Sequence, residues 1–142
     1  MKQPVKILFI CSHNACRSQM AEAFARQYGG DQVVACSAGT DPTELHALTV
    51  EGMREVGIDM SGQYAKGFGQ VPPDPDIVVT VCDVAAETCP FFPGARQVLH
   101  WSFEDPAAAK GSPEERLAVF RRVRDEIAVR VRHLLRDLGA IS

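Results

Sequence analysis

The sequence predicts an α/β protein, a single domain with a four-stranded parallel sheet flanked by helices. Three observations carry that expectation. Short apolar or β-branched runs alternate with stretches of helical periodicity along the chain, the pattern of parallel strands joined by crossover helices. The chain has 142 residues, 46% hydrophobic and 23% charged, which is the size and composition of one domain able to bury a core without disulfide staples. No internal repeat, low-complexity segment or linker divides it, so residues 1–142 are read as one domain.

The elements follow in order. Val5–Ile10 reads as a short buried strand. Ser18–Tyr28 reads as a helix with Met20, Ala23, Phe24 and Tyr28 at helical spacing, stopped by Gly29-Gly30. Val33–Ser37 is a second strand, ended by Ala38-Gly39. In "PTELHALTVEGMREVGI", Leu45, Leu48, Met53 and Val56 mark one face of a helix that Gly57 caps. Residues 61–75 hold three Gly and three Pro and read as loop with one short helical turn. Ile77–Val81 is a dense β-branched run and the strongest strand signal, while "QVLHW" from Gln97 is a weaker one. The last helix opens at Ser112-Pro113-Glu114-Glu115, with an N-cap, a proline at the first position and acids in the first turn. Leu117, Phe120, Val123, Ile127, Val131, Leu134 and Leu138 then keep a 3.6-residue period.

Charge and composition exclude several classes. A net charge of −3 argues against a nucleic-acid binder, and the Arg-rich C-terminal stretch has acids interleaved, as a solvated helix face does. In "MKQPVKILFIC" only Val5 and Ile7 to Ile10 are apolar before the cysteine, too few for a signal segment or a membrane span. A cytoplasmic monomer without membrane or nucleic-acid partners is expected. The five cysteines then rest as thiols, which asks for a metal or redox reading before a structural disulfide. No C-x2-C pair is present, and His13, His46, His100 and His133 lack mutual metal spacing, so no metal or other cofactor is expected.

Ligands of a parallel sheet bind beyond the carboxyl ends of its strands, and Cys11, Cys82 and Trp101 each fall at or just past a predicted strand end. A loop running from a strand end to a helix start gathers unpaired N–H groups, and with the helix dipole makes an anion site. Arg17, six positions after Cys11, adds a fork of donors matched to a tetrahedral oxyanion. The same field favours a nucleophilic thiolate at Cys11, and Ser18 is placed to donate a hydrogen bond to it. A bare C-x5-R pattern is weak, and a buried cysteine followed by an ordinary helix-start charge is its bland counterpart. The preceding strand, the following helix and the Ser after the Arg favour the oxyanion site.

Four stretches, "ILFICSHNACRSQMAEAF", "SAGT" at 37–40, "VVTVCDVAAETCP" at 78–90 and "HWSFEDPA" at 100–107, resemble in order the low-molecular-weight protein tyrosine phosphatase family and its thioredoxin-coupled arsenate reductases. The resemblance is nearer to the reductases. It implies the corresponding phosphatase-like fold, with Cys11 as nucleophile, Arg17 as oxyanion ligand and Asp105 as general acid, although a turn or N-cap aspartate before Pro106 is the bland reading. Ser12, His13, Asn14, Ala15, Cys16 and Ser18 correspond to the rest of the oxyanion loop. Ser12 and His13 replace the small residues usual after the nucleophile, and His13 brings an extra donor to the mouth. Asn14 matches a residue of left-handed backbone that fastens the loop, with Ser37 as its candidate partner. Cys16 and Cys36 read as core.

Arsenate and phosphate have nearly the same shape and charge, so the cradle alone does not choose between them. Reducing As(V) to As(III) takes two electrons, which two thiols supply by forming a disulfide. The resemblance implies that Cys82 is the second thiol, that Cys89 follows it, and that thioredoxin reduces the resulting Cys82–Cys89 disulfide; glutaredoxin or a small thiol is the other candidate reductant. If "DVAAET" were regular helix, the two Cα atoms would stand roughly 10 Å apart, beyond the about 7 Å a disulfide tolerates, so oxidation would require rearrangement. Arsenate is the expected substrate, phosphate and sulfate its competitors. "AAAKG" after Asp105 lacks the tyrosines that many of the phosphatases carry there. A tyrosine phosphatase using Cys11, Arg17 and Asp105, and a non-catalytic thiol redox sensor, are the alternatives. Some of the reductases bind potassium through residues matching Asn14, Glu22 and Ser37 and a later carboxylate; Lys66 falls near that last position, and its ammonium argues against the ion here.

Overall fold

A computed structural model describes residues 3–83 and 92–142. Four strands, β1 (Val5–Cys11), β2 (Val33–Gly39), β3 (Ile77–Thr80) and β4 (Gln97–His100), form one sheet in the order β2-β1-β3-β4, every pair parallel. Helix α1 (Arg17–Gly29) connects β1 to β2, α2 (Ala47–Arg54) follows β2, and α3 (Pro113–Asp137) closes the chain. Both α1 and α2 pack against α3. The strand order reverses beside β1, because the chain leaves it first for β2 and later for β3 on its other side. Parallel sheets bind ligands at that reversal, outside the carboxyl ends of the strands. Cys11 ends β1 there, and Cys82 lies two residues past the end of β3.

Burial explains the strand signals. Central β1 has neighbours on both edges, and Ile7, Leu8, Phe9 and Ile10 are each at most 2% exposed, hence its unbroken apolar run. β3 is buried throughout, whereas β4 lies at the sheet edge and exposes Val98, so its signal is faint. Helix α3 buries Phe120, Val123, Ile127, Val131, Leu134 and Leu135 at helical spacing. Its capping box is complete: Ser112 Oγ accepts from the Glu115 N–H and the Glu115 carboxylate accepts from the Ser112 N–H.

Some expectations need correction. The second helix ends at Arg54, before Val56, which is largely exposed. Gly57 has the left-handed φ of +81°, and the N–H groups of Val56 and Ile58 both reach the Met53 carbonyl. That turn points Ile58 inward and Val56 outward. Cys36 is half-buried rather than core, because edge strand β2 alternates and sets Cys36 on the thinly covered face it shares with Val34. The expected turn in 61–75 is a short 3-10 turn at Phe68–Gln70. The "DVAAET" segment lies almost wholly outside the described residues, as does Cys89.

Candidate active site

The loop from Cys11 to Arg17 is held from outside by backbone. Just past β2, the N–H groups of Thr40, Asp41, Thr43 and His46 donate to the carbonyls of Cys11, Ser12, His13 and Ala15 at 2.7 to 3.1 Å. The Asn14 carbonyl accepts from Gln19 Nε2 at 3.0 Å. In a trans peptide the C=O and the following N–H point in opposite directions. Five carbonyls taken up outside therefore turn the N–H groups of Ser12, His13, Asn14, Ala15 and Cys16 toward the inside of the loop. One of these is seen at work: the Asn14 N–H donates to Cys11 Sγ at 3.2 Å. With the N-terminus of α1 opening at Arg17, the loop is a ring of donors around Cys11 Sγ.

Two residues make that curvature possible. Asn14 is the one non-glycine residue with positive φ among the described residues, at 52°. Both polar atoms of its side chain are engaged: Nδ2 donates to Ser18 Oγ (2.8 Å), and Oδ1 accepts from Gln19 Nε2 (2.8 Å) and the Lys66 N–H (3.0 Å). Gly39 is paired with Cys11 across β1 and β2, and a Cβ there would lie 2.7 Å from Ser12 O and 2.9 Å from Asn14 N. Only a residue without a side chain lets the strand end approach the loop so closely.

Ser18 Oγ lies 2.8 Å from Cys11 Sγ. Because its oxygen already accepts from Asn14 Nδ2, its own hydrogen is available to the sulfur, as a thiolate requires. Arg17 is nearly buried; its Nη1 donates to the Phe103 carbonyl at 3.1 Å and its Nη2 stands 3.8 Å from Asp105 Oδ2. Asp105 is thus tied to the loop arginine while its Oδ1 accepts from the Ala107 N–H, so the N-cap reading and the proximity to the site both hold. Ser12 Oγ and Cys82 Sγ are 3.5 Å apart, which brings the residue after Cys11 against a second, buried thiol. His13 sits at the exposed rim with Nδ1 3.0 Å from the Asp41 carbonyl oxygen.

Ser37 does not hold Asn14. Its hydroxyl donates to Glu22 Oε1 at 2.8 Å, and Lys66 Nζ stands 3.6 Å from the same oxygen, while Arg26 Nη1 holds Glu22 Oε2 at 3.0 Å. Glu22, itself 1% exposed, is therefore neutralised by two side-chain cations. The residues here do not fit a potassium ion, since an ammonium stands against the carboxylate that would bind it. Cys16 is buried, and burial pushes its thiol up to about 12 against the lowering hydrogen bond of Thr49, so it stays protonated and inert. Burial also raises the Cys36 thiol. His46 caps α2 by accepting from the Leu48 N–H, and burial lowers its basicity.

Sequence reading missed Gln19 and the backbone of 40–46. Gln19 is fully buried and ties Asn14 to the Tyr64 carbonyl, while Gln63 Nε2 in turn donates to it. Its only signal is position, a polar residue in the first turn of α1 beside apolar Met20.

The family model for low molecular weight phosphotyrosine protein phosphatase matches residues 6–141. The chain belongs to this family. It is 46% identical over 127 residues to the arsenate reductase of Bacillus subtilis, covering 89% of this chain and 91% of that protein. Among solved structures it is similar to an arsenate reductase in the phosphate binding state, with a TM-score of 0.81 and 33% identity over 94% of this chain and 98% of that one. It is also similar to the thioredoxin-dependent arsenate reductase of Corynebacterium glutamicum, with a TM-score of 0.75 and 31% identity over 98% of this chain and 64% of that one.

Proposed function

We propose that this chain is an arsenate reductase that passes two electrons to arsenate through Cys11, Cys82 and Cys89, and is recycled by thioredoxin. The observation that carries the proposal is the approach of Cys82 to the loop that begins at Cys11, two thiols at one oxyanion cradle. A phosphatase needs one. The relatives named arsenate reductase support the same choice.

In this reading the loop N–H groups and Arg17 bind arsenate, and the Cys11 thiolate attacks arsenic. An As–S bond forms, and one oxygen leaves as water with a proton from Asp105. The Cys82 thiolate then attacks Cys11 Sγ. The electron pair of the breaking As–S bond stays on arsenic, arsenite leaves, and a Cys11–Cys82 disulfide remains. Attack by Cys89 on Cys82 releases the Cys11 thiolate and leaves a Cys82–Cys89 disulfide. A thioredoxin dithiol reduces that bond and is itself oxidised. Ser18, bonded to Cys11 Sγ, stabilises the thiolate both as attacking and as leaving group. The cradle also accepts phosphate, so a weak phosphatase side activity through Cys11, Arg17 and Asp105 belongs to the proposal. The reducing cytoplasm suits such a relay; among the described residues no helix is long and apolar enough to cross a membrane.

The test is steady-state arsenate reduction with thioredoxin, thioredoxin reductase and NADPH, against glutathione with glutaredoxin. Turnover is expected with thioredoxin only, and arsenate added to the reduced protein without any reductant should leave a Cys82–Cys89 disulfide by peptide mass mapping. Cys82→Ser and Cys89→Ser should abolish turnover while phosphate still binds. Normal turnover in both variants would overturn the relay, and arsenate-independent oxidation would favour a redox sensor.

A further inference from the structure

Cys82 is flanked by two residues to which the relay gives no task, and both are tied to one side chain. Thr80 ends β3 and Asp83 is the last described residue before 84. His100, at the end of β4, has Nδ1 2.7 Å from Thr80 Oγ1 and Nε2 3.1 Å from Asp83 Oδ1. The strand register makes Thr80 and His100 direct neighbours, so the first contact is built into the sheet. The second reaches along the chain past Cys82. Sheet hydrogen bonding extends to Val81, whose N–H donates to the Ile10 carbonyl, and β3 itself ends at Thr80.

The hydrogens close in either charge state of the ring. With neutral imidazole, the Thr80 hydroxyl donates to Nδ1, and Nε2–H donates to Asp83. With imidazolium, Nδ1–H donates to Thr80 Oγ1, the hydroxyl turns to the Leu99 carbonyl at 3.4 Å, and Nε2–H still donates to Asp83. Both His100 and Asp83 are well exposed, so these bonds add little to global stability. What they do is local: they fix the two ends of a four-residue stretch that carries a buried thiol.

We propose that His100 is a positioning residue for Cys82, a clamp that joins Thr80 to Asp83 and so holds the thiol between them buried beside Ser12. Cys82 is 4% exposed, and its Sγ faces the Ser12 hydroxyl at 3.5 Å. A nucleophile must be aimed as well as ionised, and a misplacement of about 1 Å is able to cost on the order of 100-fold in rate. The kinetic consequence rests on the relay proposed above; the effect on the thiol itself does not.

The test follows alkylation of the full-length reduced protein by iodoacetamide at fixed pH, mapped by peptide mass spectrometry, with Cys11 read in the same samples. His100→Phe removes both contacts and keeps a ring. Asp83→Ala removes one contact from the other side. His100→Gln places an amide nitrogen near the imidazole Nε2 position and keeps the donor to Asp83, while the strand register keeps residue 100 beside Thr80. His100→Phe and Asp83→Ala are expected to speed Cys82 alkylation by about tenfold, the double variant no more than either single one. His100→Gln should stay within about twofold of wild type, and the Cys11 rate should not change in any of them. In arsenate turnover the same two single variants should lower kcat and leave KM for arsenate as it is. An unchanged Cys82 rate in His100→Phe or Asp83→Ala overturns the clamp, as does an equal rise at Cys11 or a Gln variant as fast as the Phe variant. If Cys82→Ser still reduces arsenate, the relay fails, while the alkylation rates still decide the clamp.

Discussion

Replacing Asn14 tests the loop architecture most sharply, because two separate physical terms meet in it. Asn14→Ala removes three buried hydrogen bonds, to Ser18 Oγ and from Gln19 Nε2 and the Lys66 N–H. At about 1 kcal/mol each, they sum to ~3 kcal/mol. Alanine must also adopt φ near +52°, which asparagine tolerates better, for roughly 1 kcal/mol more. Asn14→Gly loses the same bonds without that second cost. The expected losses are therefore about 4 kcal/mol for Ala and about 3 for Gly, large against the ~5–15 kcal/mol of a typical domain. Urea unfolding reads both. With a slope near 2 kcal/mol per molar, the midpoint should fall by about 2 M for Ala and about 1.5 M for Gly. Phosphate should bind more weakly in both, since Ser18 loses the bond that directs its hydrogen to Cys11. A Gly variant as stable as wild type would refute the network as the loop's support. Coincident Ala and Gly midpoints would refute the cost assigned to the left-handed backbone.

Other expectations are read from the same site and its surroundings. Gly39→Ala drives a Cβ into the Ser12 and Asn14 backbone, so phosphate affinity should drop at least tenfold and stability by about 1–3 kcal/mol, whereas Gly62→Ala, with open space around it, should change neither. Turnover should be the same in potassium and in sodium buffers, because Lys66 already faces Glu22. Lys66→Met should cost about 2 kcal/mol by thermal melting, less than the ~3–5 of a buried charge losing its sole partner, because Arg26 remains. Chiefly the hydrogen bond from Arg121, with Arg124 adding to it, holds the Glu55 carboxyl down to about 2 from an ordinary 4.5. Its folded value lies below the unfolded one, so its contribution is complete above about pH 4.5 and is lost as the pH falls toward 2. Urea midpoints from pH 5 to 2.5 should accordingly fall less steeply in Glu55→Gln.

Legibility in the sequence follows how local each cause is. The strands and helices were readable because burial writes a period into them: β1 and β3 as solid apolar runs, α3 as one stripe with its cap spelled out by Ser112 and Glu115. Edge strand β4 was faint because Val98 and its neighbours face solvent and need no pattern. The end of α2 was misjudged at Val56 because an apolar residue just before a helix-stopping glycine fits either the helix face or the turn. Within the site, Cys11, Arg17 and Ser18 stand in one short motif and were readable together. Gln19 was not legible in its contacts, because its partner Tyr64 lies 45 residues away and pairing across a fold leaves no mark on spacing, and Lys66 was placed near Glu22 only through the family resemblance. The bond between Ser37 and Glu22 was misread for a like reason: Ser37 was brought to the site's edge but given Asn14 as its partner, whereas its hydroxyl meets Glu22.

The uptake of the loop carbonyls by residues 40–46 has an evolutionary consequence. Apart from Arg17, the donors that would meet an oxyanion are peptide groups, and their directions are dictated by a neighbouring stretch of main chain. Side chains at 12 and 13, here Ser12 and His13, are then free to vary without reshaping the anion's seat. Anion capture is thereby separated from what happens to the anion next. A lineage with this frame is free to exchange one chemistry for another by changing which side chains stand beside the loop, and in the reading proposed above Cys82 is such a side chain.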